Sequence, residues 1–220
     1  MAERYVFQFS SSAYLERLSG KKACNLDALL KLIDSCTLSS IFYHTFSALR
    51  KFREIHVPYT NDFAAWISRN LHEEALSEQL GNINLTEYNT IESLKLRIVE
   101  IIKAFRNQNP SAFEKNADEP FYLCDVTRIV YLTDKFAYNL KSFREVLDSI
   151  SIDSLYFHFI ESRLYNQLHL DDISTWIEQS LGLKQLAQDI RDIDIMVYTL
   201  NTIRTKIEKL IDQHLYKINT

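Results

Sequence analysis

Six histidines are present in the chain, and two of them stand in near-copies of one phrase. SSIFYHTF, over 39–46, sets a Ser and two aromatics ahead of His44; DSLYFHFI, over 153–160, does the same around His158. Imidazole is the side chain best suited to bind a metal or move a proton near neutral pH, so a repeated His is the first place to look for chemistry. On a helix, His158 shares a face with Glu161 three residues on, a spacing found in metal sites built between helices. Ser47 stands at the matching position of the first copy, which excludes a symmetric His/Glu site, and no metal or other cofactor is assigned. The candidate ligand-binding residues are therefore Tyr43, His44 and Trp66 in the first copy and Phe157, His158, Glu161 and Trp176 in the second.

Two readings of these residues stand. In the plainer one, each His is hydrogen-bonded to a Ser or a backbone carbonyl near the interface of the copies, and each Trp bridges core and surface with its N–H satisfied. In the other, imidazoles from both copies line a pocket for a small molecule or a metal, and the indoles are stacking platforms. His56 and His169 also correspond if a gap falls just after them. Catalytic motifs are thin: no Gly-x-Ser-x-Gly, His-Glu-x-x-His or glycine-rich phosphate loop occurs. The repeated acids Asp34 and Asp148 follow a helix, where capping and loop chemistry explains them.

The repeated phrase belongs to a longer repeat. Laid over 121–163 without a gap, residues 7–49 give ten identities, among them Phe7/Phe121, Lys21/Lys135, Asn25/Asn139, Ser40/Ser154 and His44/His158. Ordinary residue frequencies predict roughly two or three. After a short gap NDFAAWI (61–67) answers DDISTWI (171–177), pairing the only two tryptophans. The match reaches nearly the whole chain, too long a period for a solenoid. The reading is a doubled domain, residues 1–106 and 121–220, joined by a polar linker at 107–120 that holds two prolines. Such halves commonly pack about a pseudo-twofold axis as one unit.

The elements that must position the candidates follow from caps and periodicity. Asn25 and Asn139, Ser39 and Asp153, Asn61 and Asp171 read as N-caps of successive helices. Ile91, Leu94, Ile98, Ile102 and Phe105 step by three and four along a closing amphipathic helix. The opening segments YVFQF, FYLCDV and IVYL read as short strands that pair across the two halves. The expected fold class is mainly α: two tandem pseudo-symmetric repeats of about five helices each, with short β-strands at the start of each repeat.

Composition bounds the function. The 220 residues are 46% hydrophobic and 25% charged, with three Gly and three Pro, which suits helices joined by short connections. A net charge of −4 argues against a phosphate-backbone binder; Arg50, Lys51 and Arg53 read as a solvated helix end. Three Cys without Cys-x-x-Cys spacing point to reduced thiols. No apolar run approaches a membrane span, and the charged N-terminus is unlike a signal peptide, so a soluble cytoplasmic protein is expected. Thirteen Phe and twelve Tyr fill a core or an oligomer interface.

The stretch SSIFYHTF followed by NDFAAWI, with the lead-in GKKACNL and their weaker echoes, resembles a bacterial and archaeal family of internally duplicated, mainly helical proteins whose function is not established. The resemblance covers most of the chain. It implies an association with trehalose and glycosyltransferase genes and transfers no catalytic residue. The function expected is a non-enzymatic interaction or regulatory protein, self-associating or bound to a protein partner. The alternative is a small-molecule or metal-binding protein with its site between the repeats.

Overall fold

In a computed structural model of the chain, residues 6–47, 59–165, 170–195 and 197–219 are described. His56, His169, Arg50, Lys51 and Arg53 lie outside them. Two compact units are formed: a continuous one, Tyr14–Thr127, and a discontinuous one, Met1–Ala13 with Arg128–Thr220.

Strands β1 (Phe7–Ala23) and β2 (Phe121–Ala137) form a two-stranded sheet, and the unit boundary falls within both. This corrects the expected fold class: the strands are not short openings to helical repeats but an antiparallel ribbon with 17 residues on each side. The outer stretch of β1, with Glu16, Arg17, Gly20, Lys21 and Lys22, lacks the apolar alternation that marks a strand. It is a strand because β2 satisfies its backbone while its side chains stay in water. The inner stretches are buried. In the continuous unit Phe121, Leu123 and Val126 of β2 face the helices; in the discontinuous unit Phe7, Phe9 and Ser10–Ser12 of β1 do. Each set of helices thus receives a strand segment from the other half of the sequence.

The helices start where short polar side chains can accept the orphan N–H groups of a first turn. In the continuous unit α1 (Leu26–Ser35) is capped by Asn25, α2 (Leu38–Phe42) by Thr37, and α3 (Asp62–Leu71) by Asn61; α4 (Glu74–Gly81) and α5 (Ile91–Gln108) follow. In the discontinuous unit α6 (Leu140–Ser149) is capped by Asn139, α7 (Ile152–Tyr156) by Ser151, and α9 (Asp172–Leu181) by Asp171. Helices α8 (Ser162–Tyr165), α10 (Lys184–Arg191) and α11 (Leu200–Asn219) complete it. The caps of α2 and α7 fall two residues before the expected Ser39 and Asp153. The long α5 packs on α1, α2 and α4, and α11 packs on α6, α7 and α10. Their apolar stripes, Leu94, Ile98 and Ile102 in one and Ile203, Ile207 and Ile211 in the other, are fully buried. The expected linker packs down: Phe113 is buried, and the Ala117 N–H donates to the Cys24 carbonyl at 2.7 Å.

Helix α9 ends on Gly182 at φ 73°, whereas α3 ends on His72 at φ 56°. Left-handed backbone suits Gly and strains a residue with a Cβ. The His72–Asp118 contact is solvent-exposed and contributes little. His72→Gly should stabilise the protein by about 0.5–1 kcal/mol, read as a higher urea midpoint with unchanged slope.

Candidate functional site

The short helices α2 and α7 each widen at their C-terminal end into a π-helical turn, Tyr43–Ser47 and Phe157–Glu161. The repeated histidine is the second residue of each. Single π-turns inside helices redirect side chains and concentrate where a specific contact is needed. Here both rings turn onto a strand.

His44 is buried, and both its nitrogens are engaged. Nε2 accepts from the Cys124 backbone N–H on β2 at 3.0 Å, and Nδ1 lies 2.8 Å from Asp62 Oδ2 in the first turn of α3. An amide can donate only to an unprotonated nitrogen, so the proton of the neutral ring sits on Nδ1 and donates to Asp62. His158 repeats the arrangement in the other unit: Nε2 accepts from the Ser10 N–H on β1 at 2.7 Å, and Nδ1 donates to Asp172 at 2.9 Å. Ser154 Oγ adds a bond to the Ser10 carbonyl at 2.6 Å. Each imidazole is a clamp tying a docked strand to two helices. Its lone pair, which a metal or a proton transfer would need, is spent on the strand.

The remaining candidates join these clamps. Tyr43 packs edge-on against His44, and its hydroxyl donates to Glu16 at 2.8 Å. Burial and that bond push its pKa well above the ordinary tyrosine value. Phe157 packs edge-on against His158 with the Arg128 guanidinium over its ring. Trp66 donates to the Glu119 carbonyl at 2.8 Å and packs on Phe121, which also touches the His44 ring. Trp176 packs on Phe7 and Phe143. Both indoles are buried, so their faces are covered by protein. Glu161 turns to β1: Ser12 Oγ donates to it at 2.9 Å and Arg128 pairs with it at 2.6 Å. Glu161 and His158 therefore hold the same strand at two points, Ser12 and Ser10. Tyr43, His44 and Trp66 gather in the continuous unit; Phe157, His158, Glu161 and Trp176 gather in the other. Among the described residues no group of three or more His, Cys, Asp or Glu is placed to hold a metal.

Sequence reasoning missed Asp62 and Asp172. Their signal was an acid directly after the cap of the Trp helix in both copies, NDF and DDI. It also missed Asp125. This residue follows Cys124, the point at which His44 holds β2, at the wall of a cleft of about 360 Å³ bounded by the outer part of β1, the end of α1 and the start of α2. Asp125 accepts from Ser39, from Thr37 at 3.3 Å, from the Val126 N–H at 3.1 Å and from Arg17 at 3.2 Å. Burial raises its pKa, but the bonds from Ser39, Val126, Arg17 and Thr37 outweigh that and hold the carboxyl below the ordinary 3.8.

A set of helices clamped to a strand by a His–Asp pair, found in each unit, defines a fold class rather than an activity. The chain belongs to a family of unknown function, DUF5752, whose model matches residues 4–212. It is similar to the solved structure of OrfY from Thermoproteus tenax: 25% identity, 97% of each chain covered and a TM-score of 0.82. No curated protein matches.

Replacing His44 or His158 by Ala leaves a buried strand N–H without an acceptor. Each should cost about 2–4 kcal/mol in guanidinium unfolding; an idle ring would cost a few tenths. The lowered Asp125 pKa stabilises the fold above the unfolded value, and that contribution is lost as pH falls through the folded one. Asp125→Asn should flatten the decline of stability between roughly pH 5 and pH 3, measured by urea midpoints across that range.

Proposed function

We propose that this is a non-enzymatic interaction protein of the cytoplasm that self-associates by extending its ribbon. The carrying observation is Ile129–Leu132 on β2. These are four consecutive large apolar residues, all exposed, Leu132 to 68%. Successive strand residues point to opposite faces, so β2 presents exposed apolar side chains on both of its own faces here. Such a run is unfavourable in a monomer unless something covers it. Each strand of a two-stranded sheet also keeps one unpaired edge, which favours strand addition.

A second copy suits this stretch. An antiparallel pairing centred on Tyr131 sets Val130 opposite Leu132 and Arg128 opposite Asp134 of the other chain, apolar against apolar and cation against anion. The spent lone pairs of His44 and His158 support a non-enzymatic role. No described helix is long and apolar enough to cross a membrane.

Light scattering on the intact chain tests this. A dimer is expected at about 50 μM, the concentration of a moderate interface, and Leu132→Lys or Val130→Glu should return it to a monomer with its unfolding midpoint retained. A wild-type chain that stays monomeric at that concentration, or a dimer indifferent to both substitutions, overturns the reading.

A further inference from the structure

The cleft beside Asp125 lies wholly within the continuous unit, and the fold uses the charge on its rim only in part. Arg17 and Lys21 of β1 bring two cations to its rim; Asp125, Thr37, Ser35 and Ser40 bring a carboxylate and three hydroxyls to its walls. Arg17 is tied to Asp125, while Lys21 makes no ion pair among the described residues. At about 360 Å³ the space lies at the small end of ligand pockets.

The second half of the chain supplies an internal control. It keeps the clamp: His158, Asp172 and Ser154 match His44, Asp62 and Ser40. At the positions matching the cleft it keeps Lys135 for Lys21 and Ser149, Ser151 and Ser154 for Ser35, Thr37 and Ser40, but has Tyr131 for Arg17, Ser11 for Asp125, Ile150 for Cys36 and Phe9 for Leu123. Phe9 and Ile150 are buried. One half therefore builds the strand–helix junction with bulkier apolar groups and without the Arg17–Asp125 pair. The Arg17–Asp125 pair is thus not required to dock a strand, and Cys36 and Leu123 fill less of the junction than Ile150 and Phe9 do.

We infer that this cleft binds a small polyhydroxylated anion. The anionic end is a carboxylate or a phosphate set against Lys21 and Arg17. Its hydroxyls donate to the Asp125 carboxylate and exchange hydrogen bonds with Thr37, Ser35 and Ser40. Charge decides the polarity: two cations and one carboxylate leave the cleft net positive, and the carboxylate sits deeper, where hydroxyl donors rather than a second anion satisfy it.

Isothermal titration calorimetry on the full chain with three probes tests this. Glycerol 3-phosphate, gluconate and neutral glycerol separate the phosphate, the carboxylate and the bare hydroxyl contributions. Saturable binding of one or both anions is expected, with glycerol silent at the same concentrations; whichever anion binds more tightly identifies the headgroup. Lys21→Ser and Arg17→Ser should each weaken it by roughly tenfold or more. Lys22→Ser, an exposed neighbour outside the cleft, should leave it unchanged. Lys21 and Arg17 are exposed, so both variants should stay folded, with Arg17→Ser losing only the small contribution of its contact with Asp125. The inference is overturned if neither anion binds at millimolar concentration, if glycerol binds as well as the anions, or if the Lys21 and Arg17 variants bind as the wild type does.

Discussion

A strand amide that enters an apolar interior must find an acceptor or cost about 1–3 kcal/mol. In each unit of this protein that acceptor is an imidazole nitrogen. The ring is suited to the task because it is rigid and two-ended. In one tautomer it offers a lone pair on one side and an N–H on the other, so it can receive the strand and donate to a helix at once. The aspartate beyond it fixes the tautomer and the ring plane. A π-turn, a distortion of a five-residue helix, aims the ring at the strand. Three elements that share no sequence neighbourhood are thereby locked by one side chain, and the aromatic packing of Phe7, Phe121, Trp66 and Trp176 closes around it.

Much of this was legible from residue order alone. The caps Asn25, Asn61, Asn139 and Asp171 declare their helices through side-chain chemistry that acts over three residues, and Leu94–Ile98–Ile102 declares α5 through a period of 3.6. The ribbon was legible where β1 and β2 are docked and in the exposed IVYL of β2. Beyond Ala13 the strand carries Glu16, Arg17, Gly20 and Lys21, and nothing local distinguishes it from a loop. Its conformation is set by a partner strand more than a hundred residues away, where Arg17 donates to Asp125. Likewise the repeated His was visible, but its partner was not. A His–Asp contact across 14 or 18 positions depends on a π-turn that no periodicity announces.

The two clamps share a plan and differ in what surrounds it. Around His158 the strand is also held by charge: Glu161, fully buried, takes Ser12 and Arg128. Around His44 the matching positions are Ser47, Val126 and Tyr14, and Tyr14 stacks on Phe42 instead. Similarly Asp171 caps α9 and pairs with Arg163 where neutral Asn61 caps α3 and donates to the Leu80 carbonyl. Burial pushes the Asp171 carboxyl up, against the pull of Arg163 and Ser174. A buried ion pair gains little over apolar packing of the same volume but penalises a misplaced strand heavily, since one charge would be stranded. Slipping β1 by one residue would take Ser12 from Glu161 and Ser10 from His158 together, so the second clamp specifies register more sharply than the first.

Docking by exchange has a consequence for how the chain assembles. The bonds that seat β1 in the discontinuous unit join Ser10 to His158 and Ser12 to Glu161, separations of 148 and 149 residues. Those that seat β2 in the continuous unit join Cys124 to His44 across 80. Loop-closure entropy rises with such separations, and contacts of this range slow folding. Helices α1 and α3–α5 and their counterparts need only local contacts to begin, whereas each imidazole stays without its amide until the distant strand arrives. The clamp is thus a late interaction, and its loss should raise the unfolding rate more than it lowers the folding rate. The same logic explains why the docked stretches are the apolar and serine-rich ones. Phe7, Phe9 and Ser10–Ser12 carry enough burial and enough small polar groups to recognise a preformed helical surface, and the exposed remainder of the ribbon is left to the solvent and to whatever binds there.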